Sequence, residues 1–416
     1  MQKVHENALK VDAHEPFDTS IDKRKYSSLL KWMKIKLDKV DIDSQLRRIV
    51  SLHRDILLDT INDRGEQEIS QMMRTVRSNA YNFIRFYDML LEYRQYLIIR
   101  MRYKDHARIH QFIEKYKFDF QKSKLINEQM HQASNDIVGD SNASGIQWGK
   151  WLKECFYNSS LDGYNRYMAF VRLSFIYLKH DMLREMEEML YKDAELLFKN
   201  GLNYSRRLLL NYYDNMLVLY DKMKDYEKAR YFGYLSIRDF NQDSIIYVNN
   251  LVNVLIKMKL TPEALSIIDG IDFKIKMSKN MHSAIGFVSN HIRCLSLNNE
   301  TDKAILKAKV FLSAYSKDIL NYRWHRFFVS YISAMVKAKQ FHDALKLMDR
   351  FKLVAREEEY AQLSGGRRTI QVFQDICLYQ LNKLKTSDLV AKWEFNKADM
   401  IEEHVIQGFA ESLSSS

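Results

Sequence analysis

Apolar residues recur at spacings of three and four along most of the chain, and turn-forming residues interrupt this pattern at short intervals. Helical periodicity predicts helices over about 42–63, 66–101 and 104–133. Gly65 is predicted to end the first of these, since glycine can take the left-handed cap position. From about 164 to 380 the pattern alternates between a helix and a short break. Runs of alternating β-branched residues between turn signals, which would indicate strands, are missing. The pattern therefore predicts an all-α protein.

One segment differs from the rest because it is polar, rich in small residues and prone to turns. Residues 135–145 read Asn-Asp-Ile-Val-Gly-Asp-Ser-Asn-Ala-Ser-Gly, which favours a connection over a helix. The predicted organisation is a weakly ordered N-terminus at 1–20, a helical bundle at 21–135, a linker at 136–146, helical repeats at 147–366 and capping helices at 367–416.

A small residue returns at near-regular intervals in the second half of the chain. Ala229, Ala264, Ala304 and Ala344 each follow a charged residue near the start of an apolar stretch, and they are separated by 35, 40 and 40 residues. Such a period is typical of stacked helical hairpins. We expect each alanine to lie where the two helices of a hairpin touch, because only a small side chain fits there.

The segment 215–229 resembles the tetratricopeptide repeat. Tyr220, Tyr226 and Ala229 occupy the places where that family has a late tyrosine in its first helix, an aromatic after the turn and a small residue in its second helix. The spacing of 40 is longer than the typical period of about 34, and the glycine common in the first helix of the family is missing. The resemblance covers about 165–350 and implies a right-handed superhelix with a concave groove.

The composition agrees with long helices, because only 2 Pro and 12 Gly occur in 416 residues and both residue types interrupt helices. The three cysteines, Cys155, Cys294 and Cys377, are far apart and predict reduced thiols, as in cytoplasmic proteins. The N-terminal residues have no apolar segment of the kind a signal peptide needs. No stretch approaches the roughly 18 uncharged residues of a membrane span. We therefore expect a cytoplasmic protein without a membrane span.

The net charge of +11 is concentrated in part of the chain, since residues 71–130 hold 12 Lys and Arg against 6 Asp and Glu. Interleaving of basic and aromatic residues can bind single-stranded nucleic acid through phosphate contacts and stacking. The candidate contacts for nucleic acid are Arg94, Arg100, Arg102, Lys104 and Arg108. In the other interpretation the tyrosines form the core and the basic groups remain solvated.

Other candidate chemistry is weak. His106 and His110 share a helix face and could bind a metal, but the HExxH pattern is missing and no cysteine is near. The glycine turn at 364–369 lacks the frame of a phosphate-binding loop. A Gly-x-Ser-x-Gly nucleophile elbow does not occur. We expect no catalytic activity, no cofactor and no metal.

The resemblance implies that polar or large residues on the predicted first helices face the groove. These candidate groove residues are Tyr212, Asn215, Asn250, Asn253, Asn290, Arg293, Arg326 and Tyr331. A second basic–aromatic block over 322–331 surrounds the last two of them, and we expect it to contribute partly to the core and partly to the groove.

Three functions agree with these features. The leading hypothesis is a non-catalytic adaptor or regulatory sensor that holds a protein or peptide in the groove. The second is a nucleic-acid-binding transcriptional regulator that uses the basic bundle, with the repeats as its sensing domain. The third is a structural subunit that exists only in a larger assembly, and a homo-oligomer is compatible with each of them.

Overall fold

The structure is a computed structural model that describes residues 22–138, 145–194, 203–239, 241–271, 280–364, 368–385 and 388–389. Within these ranges every regular element is a helix and no strand occurs, so the predicted all-α class is confirmed. The chain divides into two compact units, residues 1–225 and 226–416. The predicted linker includes residues 139–144, which lie outside the described ranges, as do the predicted weakly ordered residues 1–20. The predicted domain boundaries stay predictions.

The described part of the first unit contains nine α-helices. They are α1 Lys23–Val40, α2 Ile42–Leu57, α3 Asp63–Thr75, α4 Phe83–Ile99, α5 Tyr103–Val138, α6 Gly149–Tyr157, α7 Gly163–Lys179, α8 Leu183–Glu188 and α9 Arg206–Lys222. A short 3-10 helix, Ile146–Trp148, precedes α6, and a π-helical turn, Met189–Ala194, follows α8.

The described part of the second unit also contains nine α-helices. They are α10 Tyr226–Ser236, α11 Ser244–Lys257, α12 Thr261–Asp269, α13 Met281–Leu297, α14 Thr301–Tyr322, α15 Trp324–Lys337, α16 Phe341–Phe351, α17 Leu353–Ser364 and α18 Thr369–Gln380. Of the predicted capping helices at 367–416, the part beyond residue 389 lies outside the described ranges. Among the described helices, none combines the length and apolarity that crossing a bilayer requires.

Aromatic residues of α4 and α5 form much of the core of the first unit. The ring of Tyr87 stacks on Phe120 with centroids 4.1 Å apart, and its hydroxyl donates to the backbone oxygen of Ile113 at 2.9 Å. Tyr93 is also buried in this core. These contacts agree with the interpretation of Tyr93 as a core residue, whereas Tyr103, beside the same basic residues, is exposed.

Two details of the predicted helices in this unit are wrong. The single helix predicted over 66–101 is two helices, since α3 ends at Thr75 and α4 begins at Phe83. In the break, Asn82 donates from Nδ2 to the backbone oxygen of Ile42 at 2.8 Å, which ties the start of α4 to α2. Gly65 does not end a helix but lies buried inside α3, where a Cβ would stand 3.1 Å from a methyl group of Leu52.

A connection of the same type recurs along the chain between successive helices. Lys224, Lys259, Asn299 and Lys339 adopt left-handed backbone conformations with φ of 63°, 63°, 65° and 59°. The residue after each one donates its N–H to the carbonyl five positions back, as from Leu260 to Leu255 at 2.8 Å and from Gln340 to Met335 at 2.9 Å. This pattern ends helices by satisfying carbonyl groups that would otherwise lack a donor.

The four repeated alanines follow these connections at a constant distance. Each alanine lies five residues after the left-handed residue and is the fourth residue of its helix, in α10, α12, α14 and α16. All four side chains are fully buried. Helices of the second unit contact both their next neighbour and the one after, so α11, α13 and α15 form a row, and α12 and α14 pack beside it.

Candidate ligand-binding site

Arg326, near the start of α15, connects three helices of the second unit. Its Nη2 donates to the amide oxygen of Asn290 on α13 at 2.7 Å, and also to the amide oxygen of Asn253 on α11. Three of the predicted groove residues therefore meet at one guanidinium group. A planar group with several donors suits this role because it can hold two acceptors in fixed directions.

Asn249 extends this arrangement along α11. Asn290 donates from Nδ2 to the side-chain oxygen of Asn249 at 3.2 Å, and Asn249 donates from Nδ2 to the backbone oxygen of Ser283 at 3.0 Å. Asn249 and Asn290 are buried, and a buried amide is costly unless it is hydrogen-bonded. We call Asn249, Asn253, Asn290 and Arg326 the polar network.

A second guanidinium group lies beside the polar network. Arg323 donates from Nε to Nε2 of His282 at 2.8 Å. Gly286 makes room for it, since a Cβ at this position would stand 2.6 Å from Nη1 of Arg323 and 3.4 Å from Nδ2 of Asn249. A side chain on residue 286 would displace the guanidinium group, so glycine is required for this close approach.

The surroundings of His282 and Arg323 favour a neutral imidazole on His282 and leave the guanidinium group of Arg323 incompletely solvated. Burial, and then the charge of Arg323, lower the pKa of His282, which agrees with its role as hydrogen-bond acceptor. Burial lowers the pKa of Arg323. No carboxylate among the described residues pairs with Arg323, whose hydrogen bond goes to His282. Such a group can bind a carbonyl or carboxylate oxygen of a ligand.

A buried carboxylate fixes the start of α15, from which both arginines extend. Glu357 on α17 is 1% exposed and lies 2.6 Å from Nε2 of His325. It also accepts from the backbone N–H groups of Ile370 and Gln371, both at 2.9 Å. One carboxylate therefore connects α15 and α17 to the N-terminal end of α18, where negative charge is favourable.

Two other predicted groove residues are buried. Tyr331 is buried in the core of the second unit together with Phe327, one turn earlier on the same helix face. Tyr212, in the first unit, is buried and donates to the backbone oxygen of Leu190 at 3.2 Å. Helical phase accounts for both positions, because these tyrosines lie on inward faces of α15 and α9.

The remaining three, Asn215, Asn250 and Arg293, are partly exposed. Asn215 donates to the backbone oxygen of Asn211 within α9 at 3.1 Å.

Asn249, His282 and Gly286 are not among the residues predicted from the sequence. A signal for the glycine was present, since Gly286 precedes Arg326 by the 40-residue period. Of the basic–aromatic block over 322–331, the aromatics at 327, 328 and 331 are buried, whereas Tyr322 is exposed. The buried aromatics agree with the core part of the expectation, and the groove part stays a prediction.

Most of the basic residues predicted to contact nucleic acid are in ion pairs within the first unit. Arg102 binds Glu66 through two nitrogens at 2.6 and 2.7 Å, and the hydrogen bond with Glu66 is the largest cause raising the pKa of Arg102. Arg100 lies 2.9 Å from Asp59. Arg108 pairs with Asp105, while Arg94 is partly exposed and Lys104 exposed. Paired guanidinium groups have less charge to offer to phosphates.

Two other candidates can be placed. The rings of His106 and His110 stack with centroids 5.9 Å apart, and no group of three metal-binding side chains was found in the part of the chain that the structure describes. Within the glycine turn at 364–369, residues 365–367 lie outside the described ranges. Arg368, which follows them, donates to Glu358 at 3.0 Å.

No protein-family model matches this chain, and no similar curated protein or solved structure was found.

Proposed function

We propose that this protein is a non-catalytic adaptor or regulatory sensor that holds a protein or peptide segment against α11, α13 and α15. The observation that carries the proposal is the polar network, in which Arg326 joins Asn253 and Asn290 across three helices. Asn253 is partly exposed, and its amide oxygen accepts from Arg326 while its Nδ2 donates to no described residue.

The chemistry of these groups suits an extended peptide. A side-chain amide offers a donor and an acceptor, which match the carbonyl and N–H groups of a peptide backbone. The guanidinium group of Arg323 adds a donor set that suits carbonyl and carboxylate oxygens. The recurring left-handed connections and buried alanines support a tetratricopeptide-like arrangement, which would place such groups on a concave face.

A peptide-display selection tests this function directly. The purified full chain is used to select binders from a library of random linear peptides, and their affinities are then measured by fluorescence polarisation. The variant Asn253→Ala is expected to weaken binding about tenfold, because a hydrogen bond in a desolvated interface contributes roughly 1–1.5 kcal/mol. The control Arg356→Ala, on the exposed surface of α17, should bind as the wild type does.

Two results would contradict the proposal. One is a selection that yields no peptide binding the folded chain. The other is equal affinity for the wild type and Asn253→Ala, with circular dichroism spectra that show both to be folded.

The nucleic-acid alternative is less favoured because Arg100, Arg102 and Arg108 are already paired with carboxylates. Retention on duplex DNA that decreases steeply with salt would support it. In that case Arg94→Ala and Lys104→Ala should reduce retention, since these two side chains form no ion pair with described residues.

A further inference from the structure

Helix α1, Lys23–Val40, has no buried residue although many of its side chains are apolar. Five large hydrophobic side chains of this helix are well exposed, namely Leu30 at 55%, Trp32 at 57%, Ile35 at 48%, Leu37 at 47% and Val40 at 39%. An isolated exposed leucine is ordinary, but Leu30, Leu37 and Val40 share one face of the helix, and an exposed apolar surface of this kind indicates a binding surface.

Most apolar residues of α1 form a stripe along one face, and Trp32 and Ile35 lie outside it. The residues of the stripe recur at spacings of three and four, and the members are Tyr26, Leu29, Leu30, Met33, Leu37 and Val40. Helix α1 contacts α2, and Tyr26, Leu29 and Met33 are partly covered. The other members, Leu30, Leu37 and Val40, are exposed to solvent, so only part of the stripe packs against the first unit.

The other faces of α1 are strongly basic. The helix contains one acidic residue, Asp38, and seven basic residues, which are Lys23, Arg24, Lys25, Lys31, Lys34, Lys36 and Lys39. None of the seven forms an ion pair with a described residue. The amine of Lys36 lies 5.7 Å from the ring centre of the exposed Trp32. The net charge of the helix, 7 − 1 = +6, is therefore not neutralised by the described residues around it.

We propose that α1 is a docking helix for the surface of an anionic lipid bilayer. Lipid phosphates would neutralise the lysines while the apolar stripe enters the boundary between headgroups and acyl chains. Tryptophan is favoured at this depth because its ring is apolar and its N–H is polar. A second copy of the chain is a poor occupant, since two helices of charge +6 would repel each other.

Vesicle binding by the full chain tests this proposal. The probe is a set of vesicles of phosphatidylcholine with phosphatidylglycerol, compared with vesicles of phosphatidylcholine alone, and binding is measured by flotation. We expect binding to the anionic vesicles, a steep decrease with added salt, and little binding to the neutral vesicles.

Two sets of variants separate the contributions of charge and of the apolar stripe. Lys31→Glu, Lys34→Glu and Lys36→Glu together should weaken binding by at least about tenfold, because each lysine near an anionic surface contributes about 1 kcal/mol. Leu30→Ser with Leu37→Ser should also weaken binding, including at low salt. The control Lys309→Glu, Lys317→Glu and Lys346→Glu has the same charge change on exposed sites of the second unit and should retain binding.

Three outcomes would overturn the proposal. The first is no binding of the wild type to anionic vesicles at low salt, and the second is an equal loss of binding in the control triple variant. The third is retention on heparin or polyaspartate that depends on the three α1 lysines without any vesicle binding. That result would assign α1 to an acidic macromolecule instead of a bilayer.

Discussion

Asp162, at the start of α7, is a carboxyl group that water does not reach. It accepts the backbone N–H of Asn165 at 3.0 Å and the side-chain Nδ2 of the same residue at 2.8 Å. Burial raises the pKa of Asp162, and these hydrogen bonds partly oppose the shift. The residue thus combines a favourable helix cap with an unfavourable buried charge.

Asp162→Asn should change how stability depends on pH. Because the folded-state pKa is raised, the contribution of Asp162 to stability is fully present below its unfolded pKa of about 3.9 and is lost as pH rises through the folded value. The neutral asparagine cannot titrate. The free energy of unfolding of the variant, relative to that of the wild type, should therefore increase as pH rises from about 4 towards neutrality. Urea unfolding of both proteins across this range measures the difference, and a pH-independent difference would contradict the prediction.

Lys339→Gly should stabilise the protein by roughly 0.5–1 kcal/mol, because glycine adopts the left-handed conformation without the steric cost that a Cβ brings. Lys339 has φ of 59° and an exposed side chain. The matched control is Lys346→Gly inside α16, which should destabilise by about 1 kcal/mol. Chemical denaturation compares the two variants, and destabilisation by both would show that the left-handed residue is not strained.

At the scale of the helices, the fully buried Ala304 on α14 tests the tight packing expected of repeated hairpins. Ala304→Leu should destabilise the protein by about 1–3 kcal/mol because a closely packed contact has no room for the larger side chain. Ala314→Leu, at an exposed position of the same helix, should be nearly neutral. Thermal and urea unfolding provide the comparison, and equal effects of the two variants would contradict close packing at Ala304.

Glu357 connects three helices, so its removal should affect more than one of them. Glu357→Ala should cost about 2–4 kcal/mol, since it leaves His325 and the backbone N–H groups at the start of α18 without their buried acceptor. Glu359→Ala, two residues later and exposed, is the control. Hydrogen exchange should also show faster exchange at the start of α18 in the first variant only.

Periodicity was sufficient to predict the helical class and the positions of most helices, but local breaks were harder. Residues 76–82 contain neither glycine nor proline, so the two strongest helix-interrupting residues are missing from the break between α3 and α4. That break depends on a tertiary hydrogen bond from Asn82 to α2. Gly65 shows the reverse error, because its small size serves packing against Leu52 and not a turn.

The candidate site was only partly predictable because helix phase decides which side chains face outward. Asn253, Asn290 and Arg326 are polar residues on predicted first helices, and their side chains meet. Tyr212 and Tyr331 are large residues on predicted first helices as well, but their side chains are buried. Successive helix residues are rotated by about 100°, so an error of one or two residues in helix phase moves a side chain from an outward to an inward position.

At the scale of the whole molecule, each of the two units contains buried cysteine, and the reactivity of its thiol indicates whether that unit is folded. Cys155 belongs to the first unit, and Cys294 and Cys377 belong to the second. All three are buried, and burial is the largest cause raising their pKa values to about 11, 12 and 12 respectively. Thiolate is the reactive form of cysteine, so each group should be inert while its unit is folded.

Thiol labelling during denaturation should therefore follow each unit individually. In the native protein at neutral pH, a thiol reagent should modify none of the three cysteines rapidly, and full reaction should require unfolding. Mass spectrometry of samples labelled at increasing urea concentrations assigns each modification to its residue. Rapid labelling of any cysteine without denaturant would contradict the buried positions described above.

The recurring left-handed connections also suggest how such a chain can change length during evolution. Lys259 and Asn299 have nearly the same backbone geometry and are 40 residues apart, so the segment between them begins and ends in equivalent conformations. Duplicating or deleting that segment in the gene would rejoin the polypeptide without requiring a new loop. Homologous chains could then differ by whole helical pairs, and each added pair would lengthen the row to which α11, α13 and α15 belong.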